Sequence, residues 1–302
     1  MEKIKGILLT LLGGICWGIS GTTAQFLFDN LHVDTQWLTP VRLFYSGVIL
    51  LIYCFWHYKT AILTPLKPGK DLVVLLIYGI GGVAFSQYLY FLCIALSTAG
   101  VGAVLMNVAP IPVLIGSCLV AKRWPYLYEI LAIVIGIAGV FLIVTHGNFS
   151  NFAVSPAALL AGVGSAMCVA IYNLLGGHLT NKYPVSLVQG WSFLLGGILM
   201  FGIFQAWEIS YHLNWSLFLG LLVVILIGNI AAFNAFMSGL AIIGPAKGIL
   251  YGFSEAVAAS IIGWLFLGTH FTGWDFLGFA LVFLMLVIIS LPNLVYTKKI
   301  GR

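Results

Sequence analysis

Charge is what this sequence has least of. Of 302 residues, 13 are Lys or Arg and 8 are Asp or Glu, 7% in all, while 62% are hydrophobic. Soluble domains carry about 25% charged and about 45–50% apolar residues. A water-soluble fold of this length would have too few charges to cover its surface. An ordinary soluble enzyme, a nucleic-acid binder and a disordered protein are therefore excluded, despite a net charge of +5. Other absences narrow the field further. There is no C-x-x-C, and Cys16, Cys54, Cys93, Cys118 and Cys168 all sit in apolar runs, as buried free thiols do. There is no G-x-x-x-x-G-K-[ST], which excludes an ATP-driven pump on this chain. The six histidines (His32, His57, His146, His178, His212 and His270) fall in loops or near the ends of apolar runs. An intramembrane metal site lacks its usual ligands, and no cofactor is expected.

What is present is a series of long apolar runs. A membrane-spanning helix needs about 20 mainly apolar residues. Ten such runs lie at approximately 6–28, 36–57, 71–94, 98–121, 126–145, 155–176, 185–206, 216–239, 245–267 and 273–291. They are far longer than the ~10-residue strands of a membrane barrel, so the spans are helices. Pro125, Pro156 and Pro184 fall at span starts, where proline costs no intrahelical hydrogen bond. The first run is longer than a signal-peptide core and lacks a small-x-small cleavage site, so it reads as a retained helix.

The basic residues set the orientation. Lys3, Lys5, Lys59, Lys67, Lys70, Lys122, Arg123, Lys182, Lys298, Lys299 and Arg302 all fall on one side if every run crosses, and the opposite loops hold no Lys or Arg. Basic loops stay in the cytoplasm, so the expectation is a multi-pass protein of the cytoplasmic membrane with both termini cytoplasmic. Asp71, Glu129 and Asp275 each sit in the first turn of a span, where an acid complements the helix dipole.

A shift of 145 residues lays 95–121 on 240–266, so that Pro110 meets Glu255. At a slightly different offset Cys16 meets Cys168, each in a Gly/Ala/Ser-rich helix. Five spans per half is an odd number, so the second half enters the membrane inverted. The expected fold is an all-α membrane protein of about ten helices, built as two inverted five-helix repeats over 6–145 and 155–291. Inverted repeats are a common construction of secondary transporters, with the substrate site near the midplane between them.

Several stretches carry a resemblance. They are Cys16-Trp17-Gly18, Arg42-Leu43, Asn107-Val108-Ala109-Pro110, and Ser254-Glu255-Ala256-Val257 through Gly263-Trp264-Leu265-Phe266-Leu267-Gly268. Together they resemble the EamA family of the drug/metabolite transporter superfamily, and the stretch Leu142–Ala158 looks nearest to bacterial inner-membrane members. Ala256 stands where the family pattern has proline, which implies a straighter ninth span, and Thr269 where it has glutamate. The resemblance implies transport of amino acids or related metabolites, or of drug-like molecules, often as export.

Three charges remain inside spans. Glu255 lies about ten residues from the basic end of its run, roughly 15 Å at 1.5 Å per residue. That is near the middle of a ~30 Å hydrocarbon core, where an ionisable group marks a functional site by default. It reads either as a proton-binding carboxylate or substrate-amine contact, or as a hydrogen-bonded tie between helices. Lys247, Tyr251 and Glu255 share one helical face at i, i+4 and i+8. Lys247 reads either as an attractor of anions or as a snorkelling side chain. Arg42, about six residues into its run, either binds a substrate carboxylate, pairs with an acid as a gate, snorkels, or bonds backbone carbonyls.

The amides Gln87, Asn107, Asn173, Asn229 and Asn234 lie near mid-span, where they bond between helices or face a polar cavity. Trp17, Tyr88, Tyr172 and Tyr251, with Phe233 and Phe236, are candidates to line the same cavity. The Gly pairs, such as Gly13-Gly14 and Gly196-Gly197, read as close helix packing. The leading function is a secondary transporter with a small-molecule substrate, the bilayer as its surroundings and protons as the candidate coupling ion. The alternatives are a membrane-embedded enzyme acting on lipid and a passive channel.

Overall fold

The computed structural model describes residues 2–120, 122–146, 154–243 and 245–300, and among these every regular element is helical. Among the described residues, ten helices are long and apolar enough to cross a membrane. We label them α1 (Glu2–Leu31), α2 (Thr35–Tyr58), α3 (Lys70–Ala95), α4 (Ala99–Met106 and Pro110–Val120) and α5 (Leu127–Thr145). The second half holds α6 (Pro156–Thr180), α7 (Val185–Phe204), α8 (Trp215–Ile243), α9 (Pro245–Gly252 and Ser254–Leu267) and α10 (Gly273–Ile300). Local chemistry sets several starts. Thr98, Ser155 and Asn214 each accept a hydrogen bond from a backbone amide of the first turn, capping α4, α6 and α8.

The helix contacts repeat between the halves. α1 packs on α8 and α9 as α6 packs on α3 and α4, while α2 meets α7, α4 meets α9 and α5 meets α10. The irregularities repeat too. α3 contains a π-helical segment at Ile77–Ala84 and α8 one at Val223–Ala231. α4 is interrupted at Asn107–Ala109 and α9 at Phe253. The sequence shift of 145 residues lays one interruption on the other. The interruption of α9 occurs although Ala256 replaces the family's proline, so the expected straighter helix is not seen. Here Phe253 N–H bonds to Leu250 O at 3.3 Å, three residues back.

Small residues permit the close contacts. A methyl added at Gly47 of α2 would stand 2.5 Å from the backbone nitrogen of Leu194, and one at Gly197 of α7 would stand 2.6 Å from that of Phe44. The two helices therefore touch backbone to backbone at reciprocal positions. On the outside, Trp56 and Trp124 are exposed near one end of the bundle and Trp207, Trp215 and Trp274 near the other. That is the placement of aromatic belts at the two faces of a bilayer.

The helix-start acids do more than complement a dipole. Glu129 receives two 2.8 Å bonds from Arg123. Asp71 ties α3 to the end of α6 through His178, Lys182 and Tyr183. Its carboxylate pushes the pKa of the Tyr183 hydroxyl up. Asp275, fully buried, accepts from Thr272 and lies 2.6 Å from His146 Nδ1 at the end of α5.

The two ends of the bundle differ. Ala99–Met106 of α4 packs on Ser254–Leu267 of α9, joining the halves at the end away from the basic loops. At the basic end, the extensive contacts of Pro110–Val120 run to α6, while those of Ala232–Ile243 run to α1 and to Pro245–Gly252. The contacts to α6 and α1 too run from one half to the other, and at this end the polar Asn234 and Ser238 are exposed on α8.

The backbone contact of α2 with α7 gives a stability test. Gly47→Ala is expected to lower the unfolding temperature in detergent, at a cost of about 1–3 kcal/mol from overpacking. Gly202→Ala, where nothing lies within 4 Å of the added methyl, is expected to leave it unchanged. Equal unfolding temperatures for the two variants would contradict the packing described.

Candidate functional site

The centre of the bundle is organised by Arg42. Its backbone sits early in α2, yet the side chain does not snorkel: the residue is only 3% exposed. Nη2 donates to Gln87 Oε1 of α3 and, at 2.7 Å, to Asn229 Oδ1 of α8. Asn229, also buried, uses its amide nitrogen to donate to Ser46 of α2 at 3.0 Å. This orients the amide so that its oxygen faces the guanidinium. The guanidinium carbon lies 4.0 Å from the centre of the Phe91 ring, a cation–π contact.

Glu255 lies beside this group. It is buried at the start of the second segment of α9, and its Oε1 accepts from the Tyr90 hydroxyl at 2.8 Å. Arg42 and Glu255 are close enough for their charges to interact. The position of Glu255 depends on α1. Ser254 donates to Leu11 O at 3.2 Å. A methyl on Gly18 would stand 2.9 Å from the Glu255 carbonyl oxygen, so only a residue without a side chain lets α1 lie against this turn. The π segments of α3 and α8 adjoin the site. One ends two residues before Ser86 and three before Gln87, and the other contains Asn229. Such segments recur at functional sites.

The structure thus brings together Arg42, Gln87, Asn229 and Glu255. It adds Tyr90, Phe91 and Ser46, which sequence reasoning missed. A signal for two of them was available: Gln87, Tyr90 and Phe91 are spaced i, i+3 and i+4, on one face of α3. The other candidates make no hydrogen bond to this network among the described residues, although Tyr172 is close enough to Glu255 for an electrostatic interaction. Asn107 Nδ2 donates to Ala103 O, at the interruption of α4. Asn173 and Asn234 likewise bond to carbonyls four residues back on their own helices. Of the five mid-span amides, then, two bridge helices and three do not. Trp17 packs on Phe236 with ring centres 4.8 Å apart, Tyr88 on Phe204 at 4.7 Å, and Tyr172 edge-on to Tyr78 at 6.0 Å. These three and Tyr251 are half-buried. The turn at Phe253 separates Tyr251 from Glu255, so their stripe crosses a helix interruption. The side chain of Lys247 lies outside the described residues.

Chemically, the site is one guanidinium and one carboxyl group held in an apolar interior by neutral polar groups from α2, α3 and α8. It offers charge recognition and a protonatable group.

Comparison with known proteins agrees with this architecture. The model of the EamA-like transporter family matches the chain twice, over residues 4–145 and 156–291. The chain is 31% identical to the uncharacterized inner membrane transporter YicL of Salmonella typhimurium, over 96% of each sequence. It is 26% identical to the uncharacterized inner membrane transporter YedA of Escherichia coli K12, covering 87% of this chain and 83% of that one. A solved crystal structure, 16% identical, superposes with a TM-score of 0.64 over 95% of this chain and 96% of the other, a likeness of fold. With both halves matched and a relative above 30% identity along nearly its whole length, this chain is a multi-pass membrane protein that belongs to the EamA-like transporter family.

Proposed function

We propose that the chain is a secondary transporter that exports a small organic metabolite, an amino acid or related compound or a drug-like molecule, by alternating access. The observation that carries this reading is the Arg42–Glu255 centre. A buried cation and a buried acid meet between the two halves, beside the π segments of α3 and α8 and the interruption of α9. Charged groups at membrane depth are costly and mark substrate or ion pathways, and irregular helices at the interface of repeats are where transporters bind their cargo.

The orientation proposed is that of the basic loops, with both termini in the cytoplasm. A C-terminal green fluorescent protein fusion is expected to fluoresce, and alkaline phosphatase inserted between Gln205 and Asn214 to be active. The reverse pattern would invert the topology.

Glu255 is the proposed proton site, and Tyr90 positions its carboxyl group. Purified protein is screened by thermal shift against amino acids, sugars, nucleosides, polyamines and quaternary amines, since binding stabilises the folded state. Hits are then followed by counterflow in proteoliposomes. Glu255→Gln is expected to lower the rate at least about tenfold and flatten its dependence on pH. Tyr90→Phe, which keeps the ring and removes the 2.8 Å bond, is expected to retain transport and shift the pH profile. A Glu255→Gln protein with unchanged rate and pH dependence would remove the proton role.

A further inference from the structure

Arg42 is a deeply buried cation, yet its donors are only partly used. A guanidinium offers five N–H donors in a planar fork. Nη2 is engaged by Gln87 and Asn229. Nε and Nη1 are buried and, among the described residues, have no hydrogen-bond partner. Buried donors are paired as a rule, and each unpaired one carries the desolvation penalty of a charged group. The two groups that bind Nη2 are amide oxygens, neutral acceptors that position the fork without neutralising it. The Phe91 ring at 4.0 Å covers one face of the plane, which leaves recognition to its edge.

We infer that the unpaired donors of Arg42, at Nε and Nη1, recognise a carboxylate, so that the transported molecule carries one. These N–H groups match the geometry and charge of carboxylate oxygens, to which charge-assisted bonds are roughly twice as strong as neutral ones. Glu255, bonded to Tyr90 rather than to the guanidinium, leaves those donors to the ligand. The role of Gln87 and Asn229 is to hold the fork in register by its remaining nitrogen. Lysine would keep the charge and lose the fork. The inference rests on the reading that this centre holds the transported molecule.

The test uses the full chain in detergent and matched pairs of probes: glycine with glycinamide, leucine with leucinamide, benzoate with benzamide, and lactate with lactamide. Unfolding temperatures are titrated with each at constant ionic strength. At least one carboxylate is expected to stabilise the protein, with its amide binding at least about tenfold more weakly. In Arg42→Lys and Arg42→Gln the preference should collapse to within about twofold. In Gly202→Ala, where nothing lies within 4 Å of the added methyl, it should persist. The comparison of acid with amide needs no variant, so it stands even if an Arg42 substitution fails to fold.

Equal stabilisation by acid and amide, a preference retained in Arg42→Gln, or stabilisation by none of the carboxylates would overturn the inference. Counterflow separates the two claims. Flux of neutral solutes without preference for acids would sink the carboxylate site and keep the transporter. Arg42-dependent carboxylate binding with no flux would do the opposite.

Discussion

The interior of this protein depends on how a guanidinium is kept charged inside a bilayer. Arg42 lies where burial of an isolated cation is prohibitive, and the helices around it are arranged to compensate. α3 contributes Gln87 and the Phe91 face, α8 contributes Asn229, and α2 itself contributes Ser46, which orients Asn229. None of these groups is ionisable. Among the described residues, the one acid close enough to interact with it is Glu255 on α9, held by Tyr90 rather than by the guanidinium itself. The cation and the acid each keep their own hydrogen-bonded setting. This arrangement fixes where α2, α3, α8 and α9 can meet.

Meeting there demands close helix approach, which glycine supplies. Gly14 and Gly18 of α1 lie against the turn that presents Glu255, and a side chain at either would displace Ser254 or the Glu255 backbone. The π segments of α3 and α8 occur at repeat-related places, just before Gln87 and around Asn229. A π turn inserts one extra residue per turn and so rotates the following side chains relative to those before them. The helix can then present lipid-facing residues along one half and network residues along the other. The same device on both halves is a physical trace of their common five-helix plan.

Much of the fold was legible because membrane physics writes it in coarse strokes. Twenty-residue apolar runs, proline at helix starts and basic loops on one side give ten helices with few alternatives. The site was half legible. Glu255 and Arg42 stood out as charges within spans. The snorkelling alternative for Arg42 fails because depth counted along the backbone ignores the reach of a long side chain, which here points inward to Asn229 near the middle of α8. Tyr90 was hidden among 13 tyrosines; only its spacing from Gln87 set it apart. The amides misled in another way. Asn107, Asn173 and Asn234 satisfy themselves on their own helices, an outcome that composition and depth do not distinguish from a bridge between helices. Ser46 carried no signal at all, since its role exists only in relation to Asn229.

The site is less symmetric than the frame around it. The pairing of helices, the π segments and the interruptions recur in both halves, but the charges do not. In the register that lays one interruption on the other, Glu255 falls on Pro110, and the stretch of α7 that corresponds to the Arg42 region, Leu187–Ser192, holds no ionisable residue. A symmetric frame has two equivalent ways to close, one at each end, because contacts made by one half in one state can be made by the other half in the second. A symmetric set of charges would instead create two binding centres at different depths. Under the proposed cycle, a single asymmetric centre in a symmetric frame serves both states: the halves exchange roles around Arg42 and Glu255, and the same two groups face one side and then the other.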